Sequence, residues 1–301
     1  MTLGYDRPLY ILAFDHRGSF QKKFFGVEGE PNAEETVRIS DAKRVIYEGA
    51  VRALAEGVDA ASAGVLVDEQ FGADIARDAK ANGLALAMPV EKSGQDEFDF
   101  QYGEDFGRHI ETFDPAFSKV LVRYNPEADR EMNERQAGRL RRLGEWLHGN
   151  DRRYLFELLV PATPAQIEAA GGDEDRWDSE ERPKLMKAAI EELQASGVEP
   201  DIWKIEGIDR REDCETISAA TRAGGRDGVA CVVLGRGADD AKVDHWLRMG
   251  AGVPGYIGFA IGRSIWWDPL KAFVDGNLGR EEAAKQIAAN YKRFIDVYNG
   301  G

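Results

Sequence analysis

The chain is poor in the residues that mark several common chemistries. It has four histidines, His16, His109, His148 and His245. None forms an H-x-H or H-x-x-E-H cluster, so a divalent metal held by several imidazoles is not expected, and no other cofactor signature replaces it. His109 and His148 read as surface residues and His245, beside Trp246, as a packed one. The two cysteines, Cys214 and Cys231, have neither metal spacing nor enough partners for a disulfide framework, which suits a reducing cytoplasm. Positive charge is in deficit: 39 Lys and Arg face 54 Asp and Glu, a net charge of −15. Such a surface repels phosphate backbones and anionic lipids, so nucleic acid and membrane are poor partners, while a small phosphorylated ligand held by local donors is not excluded. No apolar run approaches the ~20 residues of a membrane span, and the N-terminus lacks a basic segment followed by an apolar one. There is no Pro/Ser tract, no low-complexity block, no Ser/His/Asp elbow and no G-x-x-x-x-G-K-[ST] loop.

What is present is a repeated unit: a short apolar run, a polar turn, then a helical pattern. The runs are Leu9–Phe14, Ala61–Val67, Leu84–Met88, Phe117–Val122, Tyr154–Val160, Asp201–Ile205, Val229–Leu234 and Tyr256–Ile261. Helical spacing fills Glu34–Leu54, Glu131–Leu147, Pro183–Ala195 and Arg280–Tyr298. Eight strands each followed by a helix predict one domain over 1–301, a (β/α)8 TIM barrel, with an open doubly wound sheet as the alternative. An apolar fraction of 43% suffices for its core.

Ionisable residues interrupt the runs on one face. Alternate residues of a barrel strand face the interior. Trp203 and Ile205 make an outer face, so Lys204 and Glu206 point inward. Val120 and Val122 do the same for Lys119, Leu121 and Arg123. Phe156, Leu158 and Val160 leave Leu155 and Glu157 inside, and Leu12 and Phe14 leave Ala13 and Asp15. Several strands thus carry a charge near the C-terminal mouth, where barrel enzymes do their chemistry. Burial and neighbouring cations favour the neutral amine of a lysine, which can then attack a carbonyl. Lys119 and Arg123 are the candidate cations beside Lys204, and Glu157 is the candidate base. Spacing alone equally admits a structural ion-pair network. After the seventh and eighth runs stand Gly235-Arg236-Gly237 and Gly262-Arg263-Ser264, where backbone N–H groups and arginine could clamp a phosphate. His16, following Asp15, reads evenly as a substrate hydrogen bond or a structural one.

The pieces LAFDHRGSF at 12–20, GVLVDEQFG at 64–72, MPVEKSGQDEFDF at 88–100, KVLVRYNPEAD at 119–129, LFELLVPA at 155–162, DIWKIEGID at 201–209, CVVLGRGAD at 231–239 and GFAIGRSIWW at 258–267 resemble, in order, the class I aldolases of the tagatose-bisphosphate aldolase type. They resemble more closely the 2-deoxy-5-keto-D-gluconate 6-phosphate aldolases of myo-inositol breakdown. The resemblance implies a metal-independent lyase in which Lys204 forms the Schiff base and Glu157 transfers protons. It implies that Lys119 assists, that Asp15 belongs to the site, and that Gly262 and Arg263 hold phosphate. For the inositol-type substrate it implies cleavage to dihydroxyacetone phosphate and malonate semialdehyde, with Arg17 or Arg123 on the free carboxylate. Two departures, His16 in place of the D-Q-R-G glutamine and Leu158 in place of a proline, keep the hexose-bisphosphate specificity from carrying over. Fructose-type or sulfosugar phosphate cleavage is the enzymatic alternative, and a silent sugar-phosphate-binding barrel is the non-enzymatic one. Association into a homo-oligomer is compatible with this group.

Overall fold

The computed structural model describes residues 2–301. Eight strands close into one parallel barrel in chain order. They are β1 (Leu9–Ala13), β2 (Ala63–Leu66), β3 (Ala85–Pro89), β4 (Phe117–Arg123), β5 (Arg153–Leu159), β6 (Ile202–Glu206), β7 (Ala230–Leu234) and β8 (Tyr256–Ile261). The doubly wound alternative is thereby set aside, because β1 pairs with both β2 and β8 and leaves no open edge.

Side-chain alternation sorts the apolar residues into two cores. Leu9, Ile11, Leu66, Ala87, Leu155, Ile202, Val232 and Ala260 fill the barrel interior. Leu12, Val120, Phe156, Trp203, Ile205 and Val233 face outward into the layer beneath the helices. Trp203 is fully buried and packs on Phe156 with ring centroids 4.8 Å apart. Burying a side chain such as Phe156 contributes about 1.5–3 kcal/mol. A one-residue slip of β6 would turn that face inward and push Lys204 into the apolar layer, so packing fixes the direction of the lysine.

The helix Ala33–Ala55 starts at a capping box formed by Asn32 and Glu35 and packs along the helix Arg280–Tyr298, which closes the ring. The N-terminal end of the barrel is plugged from below by Tyr5, edge-on to Phe117 at 5.2 Å. Gly258 is needed in β8: its φ is +152°, and a Cβ there would lie 2.0 Å from the Leu9 carbonyl oxygen. Three departures from the simplest barrel surround the C-terminal mouth. A helix, Gly18–Phe25, follows β1 at once; an excursion bridged by Glu91 and Phe100 follows β3; and two short helices, Pro164–Ala169 and Glu174–Glu180, follow β5.

Candidate active site

The inward positions of β4, β5 and β6 lie side by side. Glu157 pairs in register with Leu121 on one side and Lys204 on the other. Its Oε2 stands 2.9 Å from Lys204 Nζ and 3.0 Å from Lys119 Nζ, so one carboxylate oxygen joins both amines. Lys119 Nζ also donates to Asp15 Oδ2 at 2.9 Å and to Glu91 Oε1 at 2.8 Å. An ammonium has three N–H bonds, and here three carboxylates take them. Lys204 Nζ has Glu157 as its only ion-pair partner among the described residues.

All of these groups are buried, and burial alone would push every one toward its neutral form. For Lys119 that pressure is outweighed by Asp15, Glu157 and Glu91, which raise its pKa well above the ordinary lysine value. For Asp15 and Glu157 burial is likewise outweighed. Lys119, with Lys204 beside it, holds Asp15 well below the usual carboxylate range. Lys119 and Lys204 together lower Glu157. Glu91 goes the other way: burial raises it, and Lys119 and Arg17 only partly offset this. His16 is pushed down to about 4, mainly by burial and against the pull of Asp15, so its imidazole is neutral at physiological pH.

These groups open into a cavity of about 980 Å³ at the C-terminal mouth. Its wall carries nine Lys and Arg (17, 22, 23, 92, 119, 123, 204, 236, 263) against five Asp and Glu (15, 28, 91, 157, 206). A local excess of four positive charges on a chain of net −15 focuses anions into this one concavity.

Asp15, Glu157, Lys119 and Lys204, singled out from the sequence, all line the cavity, as do His16, Arg17 and Arg123. Gly235, Arg236 and Gly237 of the loop after β7 line it too, with Gly262 and Arg263 after β8. Their surroundings differ from the sequence reading at several points. Lys119 does not set Lys204 in a purely cationic neighbourhood, because it sits at the centre of three carboxylates. Arg123 stays on the cavity wall with Nη1 donating to the Gln95 carbonyl at 2.7 Å. Arg17 is 7% exposed and works as a brace, donating to the Glu91 carbonyl at 2.7 Å and to Gln101 Oε1 at 3.0 Å. Arg236 is held by both oxygens of Asp178 at 2.7 Å and lies 3.2 Å from Glu206. Arg263 meets no carboxylate within ion-pair distance among the described residues. It donates to the Arg236 carbonyl at 2.8 Å and rests against Gly237. Gly237, at φ +73°, leaves the space: a Cβ there would lie 2.5 Å from the Arg263 guanidinium carbon.

His16 lies edge-on to Trp266 at 5.7 Å, and its Nδ1 is buried without a partner among the described residues. Its carbonyl accepts from Lys43 Nζ at 2.8 Å, and Lys43 in turn pairs with Asp68 in the apolar layer. The other histidines lie elsewhere. His109 is more enclosed than a surface reading implies, stacked on Tyr102 at 3.5 Å and paired with Glu69. His148 pairs with Asp201 at 3.1 Å. His245 is more open than a packed reading implies, with Nε2 2.8 Å from the Asp209 carbonyl oxygen.

Glu91 escaped the sequence reading, although the alternation could have found it. Ala85 and Ala87 face the barrel interior, and the same parity carried past the strand gives Pro89 and Glu91. The apolar run ends at Met88, three residues short of it.

Fold and site together define a (β/α)8 barrel with a buried lysine–carboxylate cluster at its C-terminal mouth. The chain belongs to the family described as uncharacterized protein conserved in bacteria (DUF2090), whose model matches residues 5–300. No curated protein matches the sequence. Among solved structures the chain is similar to the protein Cgl0159 of Corynebacterium glutamicum, with TM-score 0.60 and 16% identity over 99% of this chain and 88% of that one. It is also similar to a fructose-bisphosphate aldolase from Slackia heliotrinireducens, with TM-score 0.58 and 15% identity over 97% of this chain and 86% of that one. At these identities the likeness is one of fold. Among the described residues no helix is long and apolar enough to cross a membrane, and no group of three His, Cys, Asp or Glu could hold a metal ion.

Proposed function

We propose that the chain is a class I aldolase that cleaves a phosphorylated keto sugar acid through a Schiff base on Lys204. The favoured substrate is 2-deoxy-5-keto-D-gluconate 6-phosphate, giving dihydroxyacetone phosphate and malonate semialdehyde. The observation that carries this reading is the inequality of the two buried lysines. Lys119 gives all three of its protons to carboxylates and has no lone pair for attack. Lys204 has one partner, Glu157, and faces an open cavity.

The chemistry follows from that asymmetry. The neutral amine of Lys204 adds to the substrate ketone, and loss of water leaves an iminium. The iminium withdraws electrons from the adjacent C–C bond. Glu157, kept ionised by the Lys119 ammonium and the Lys204 iminium, takes the proton of the hydroxyl beyond that bond, and the bond breaks to an aldehyde and an enamine. The same carboxyl returns the proton to the enamine carbon, and hydrolysis of the iminium frees Lys204. Lys119, itself held by Asp15, keeps Glu157 in place throughout. Phosphate sits against the loops after β7 and β8, with Arg263 as the unpaired cation. The far end of the substrate points toward Arg123 at the end of β4, the strand opposite β8 in the closed barrel. With Arg17 occupied as a brace, Arg123 is the residue for the free carboxylate.

Borohydride tests the reading directly. Reduction in the presence of dihydroxyacetone phosphate is expected to inactivate the protein irreversibly and to place the added mass on Lys204. Cleavage that proceeds with nothing trapped, or a label on Lys119, overturns it. A panel that includes fructose, tagatose and sulfosugar phosphates then ranks the substrates, and trapping without turnover of any of them would point to a binding barrel.

A further inference from the structure

The aldolase reading leaves a proton unaccounted for. Lys204 touches a carboxylate, so its resting ammonium must lose a proton before it can attack. If that proton went to solvent, the cluster would hold three carboxylates, Asp15, Glu91 and Glu157, against two cations, Lys119 and Arg17, in a buried site. An unbalanced buried charge of this kind is strongly disfavoured.

The contacts offer an internal destination. Lys204 Nζ to Glu157 Oε2 is 2.9 Å, Glu157 Oε2 to Lys119 Nζ is 3.0 Å, and Lys119 Nζ to Glu91 Oε1 is 2.8 Å. Glu91 is 5% exposed, and its other oxygen, Oε2, is buried with no hydrogen-bond partner among the described residues. A buried carboxylate oxygen with no donor is costly, whereas the carbonyl oxygen of a neutral carboxyl is much less so. Arg17 fixes the residue through its backbone carbonyl, while the guanidinium stays 3.8 Å from the carboxylate.

We infer that Glu91 is a positioning residue that acts through Lys119 as the proton store of the site, receiving the proton that Lys204 gives up and returning it when the carbinolamine loses water. The transfer balances. A Lys204 N–H bond breaks as its proton passes to Glu157 Oε2. Lys119 gives one of its protons to Glu91 Oε1 and takes the one on Glu157. Lys119 ends as an ammonium, Glu157 as a carboxylate and Glu91 as a neutral acid, with two anions facing two cations. On dehydration the proton runs back, the C–O bond breaks, water leaves, and the C=N bond forms. The charged groups acting on Glu91 are Lys119 from β4 and Asp15 and Arg17 from the segment after β1, and Tyr154 of β5 feels its charge. Burial already raises Glu91 against the pull of Lys119 and Arg17, consistent with its holding a proton.

This inference rests on the aldolase reading, and one experiment separates their failures. Glu91→Gln keeps a carbonyl oxygen for Lys119 but cannot take a proton. The rate of borohydride trapping with dihydroxyacetone phosphate, followed against pH, is expected to fall on the order of a hundredfold near neutrality. It should recover as the pH rises and hydroxide removes the proton instead, and Glu91→Asp should restore part of the neutral rate. A Glu91→Gln variant that follows the parent curve overturns the store but leaves the aldolase standing. A parent protein that traps nothing overturns the aldolase itself. Time-resolved infrared spectra of the parent require no variant: a protonated-carboxyl band should rise as Lys204 loses its proton and vanish as the iminium forms, and its absence overturns the store even if Glu91→Gln fails to fold.

Discussion

Lys119→Met gives the sharpest test of the cluster's electrostatics, because it should create a protein whose stability runs opposite to that of most. The substitution keeps the volume and removes the cation that Asp15, Glu91 and Glu157 share within 2.8–3.0 Å. Glu157 would retain Lys204, and Glu91 would retain the more distant Arg17. Asp15 would be left with no ion-pair partner among the described residues. Breaking a buried pair by deleting one member costs about 3–5 kcal/mol, against a total stability of about 5–15 kcal/mol for a typical protein. The variant can escape by protonating the stranded carboxyls, whose pKa values then rise above their unfolded values. The folded state binds more protons than the unfolded state, so stability is present at acid pH and falls as pH rises through the raised folded values. Denaturant melts at about pH 5 and pH 8 should therefore show a small deficit at the lower pH and the full one at the higher, and Asp15→Asn in the same background should recover part of it. A deficit independent of pH, or none, would refute the claim that Lys119 is held by charge.

Arg263→Ala should weaken the use of phosphorylated substrate by about one to two orders of magnitude, from roughly 1.5–3 kcal/mol per charge-assisted hydrogen bond, while an unphosphorylated analogue is barely affected; equal losses for both would make Arg263 structural. Gly237→Ala, whose Cβ would lie 2.5 Å from the Arg263 guanidinium carbon at a φ of +73°, should reproduce the phosphate-selective loss, and parent-like KM values would argue against that packing. His16 has a folded pKa of about 4 against 6.5 unfolded, so unfolding takes up a proton between those values. Stability should fall as pH drops from about 6.5 to about 4, by at most roughly 3 kcal/mol at 1.36 kcal/mol per unit, and His16→Gln should flatten that part of the melt profile; an unchanged slope would assign it to other groups.

How much of this was legible in the sequence depends on whether a residue lies within the regular strands. All eight runs became strands, with ends displaced by at most two residues, and the last helix begins and ends where its spacing places it, at Arg280 and Tyr298. Lys204, Glu157 and Lys119 stand among apolar neighbours whose alternation states their direction, and packing such as Trp203 on Phe156 enforces it. Pairings across the mouth were not legible, because they depend on loops that have no period. Arg17 looks like a free cation in the sequence, yet the helix Gly18–Phe25 that follows it turns its guanidinium beneath the excursion after β3. Arg236 looks like a phosphate ligand, yet Asp178, 58 positions earlier on a short helix, holds it by both oxygens.

Glu91 marks the boundary between these two cases. It has the inward parity of β3, but it lies two residues beyond Pro89, the last residue of the strand. It is also the start of the excursion, bridged to Phe100. Its role exists only because Lys119, 28 positions later, brings a third N–H bond that Asp15 and Glu157 leave unfilled. A lysine with three carboxylates and a lysine with one are the same letter in the sequence. What separates nucleophile from anchor is the number of protons that its neighbours accept, and that number is set by two strands and two loops converging on one nitrogen.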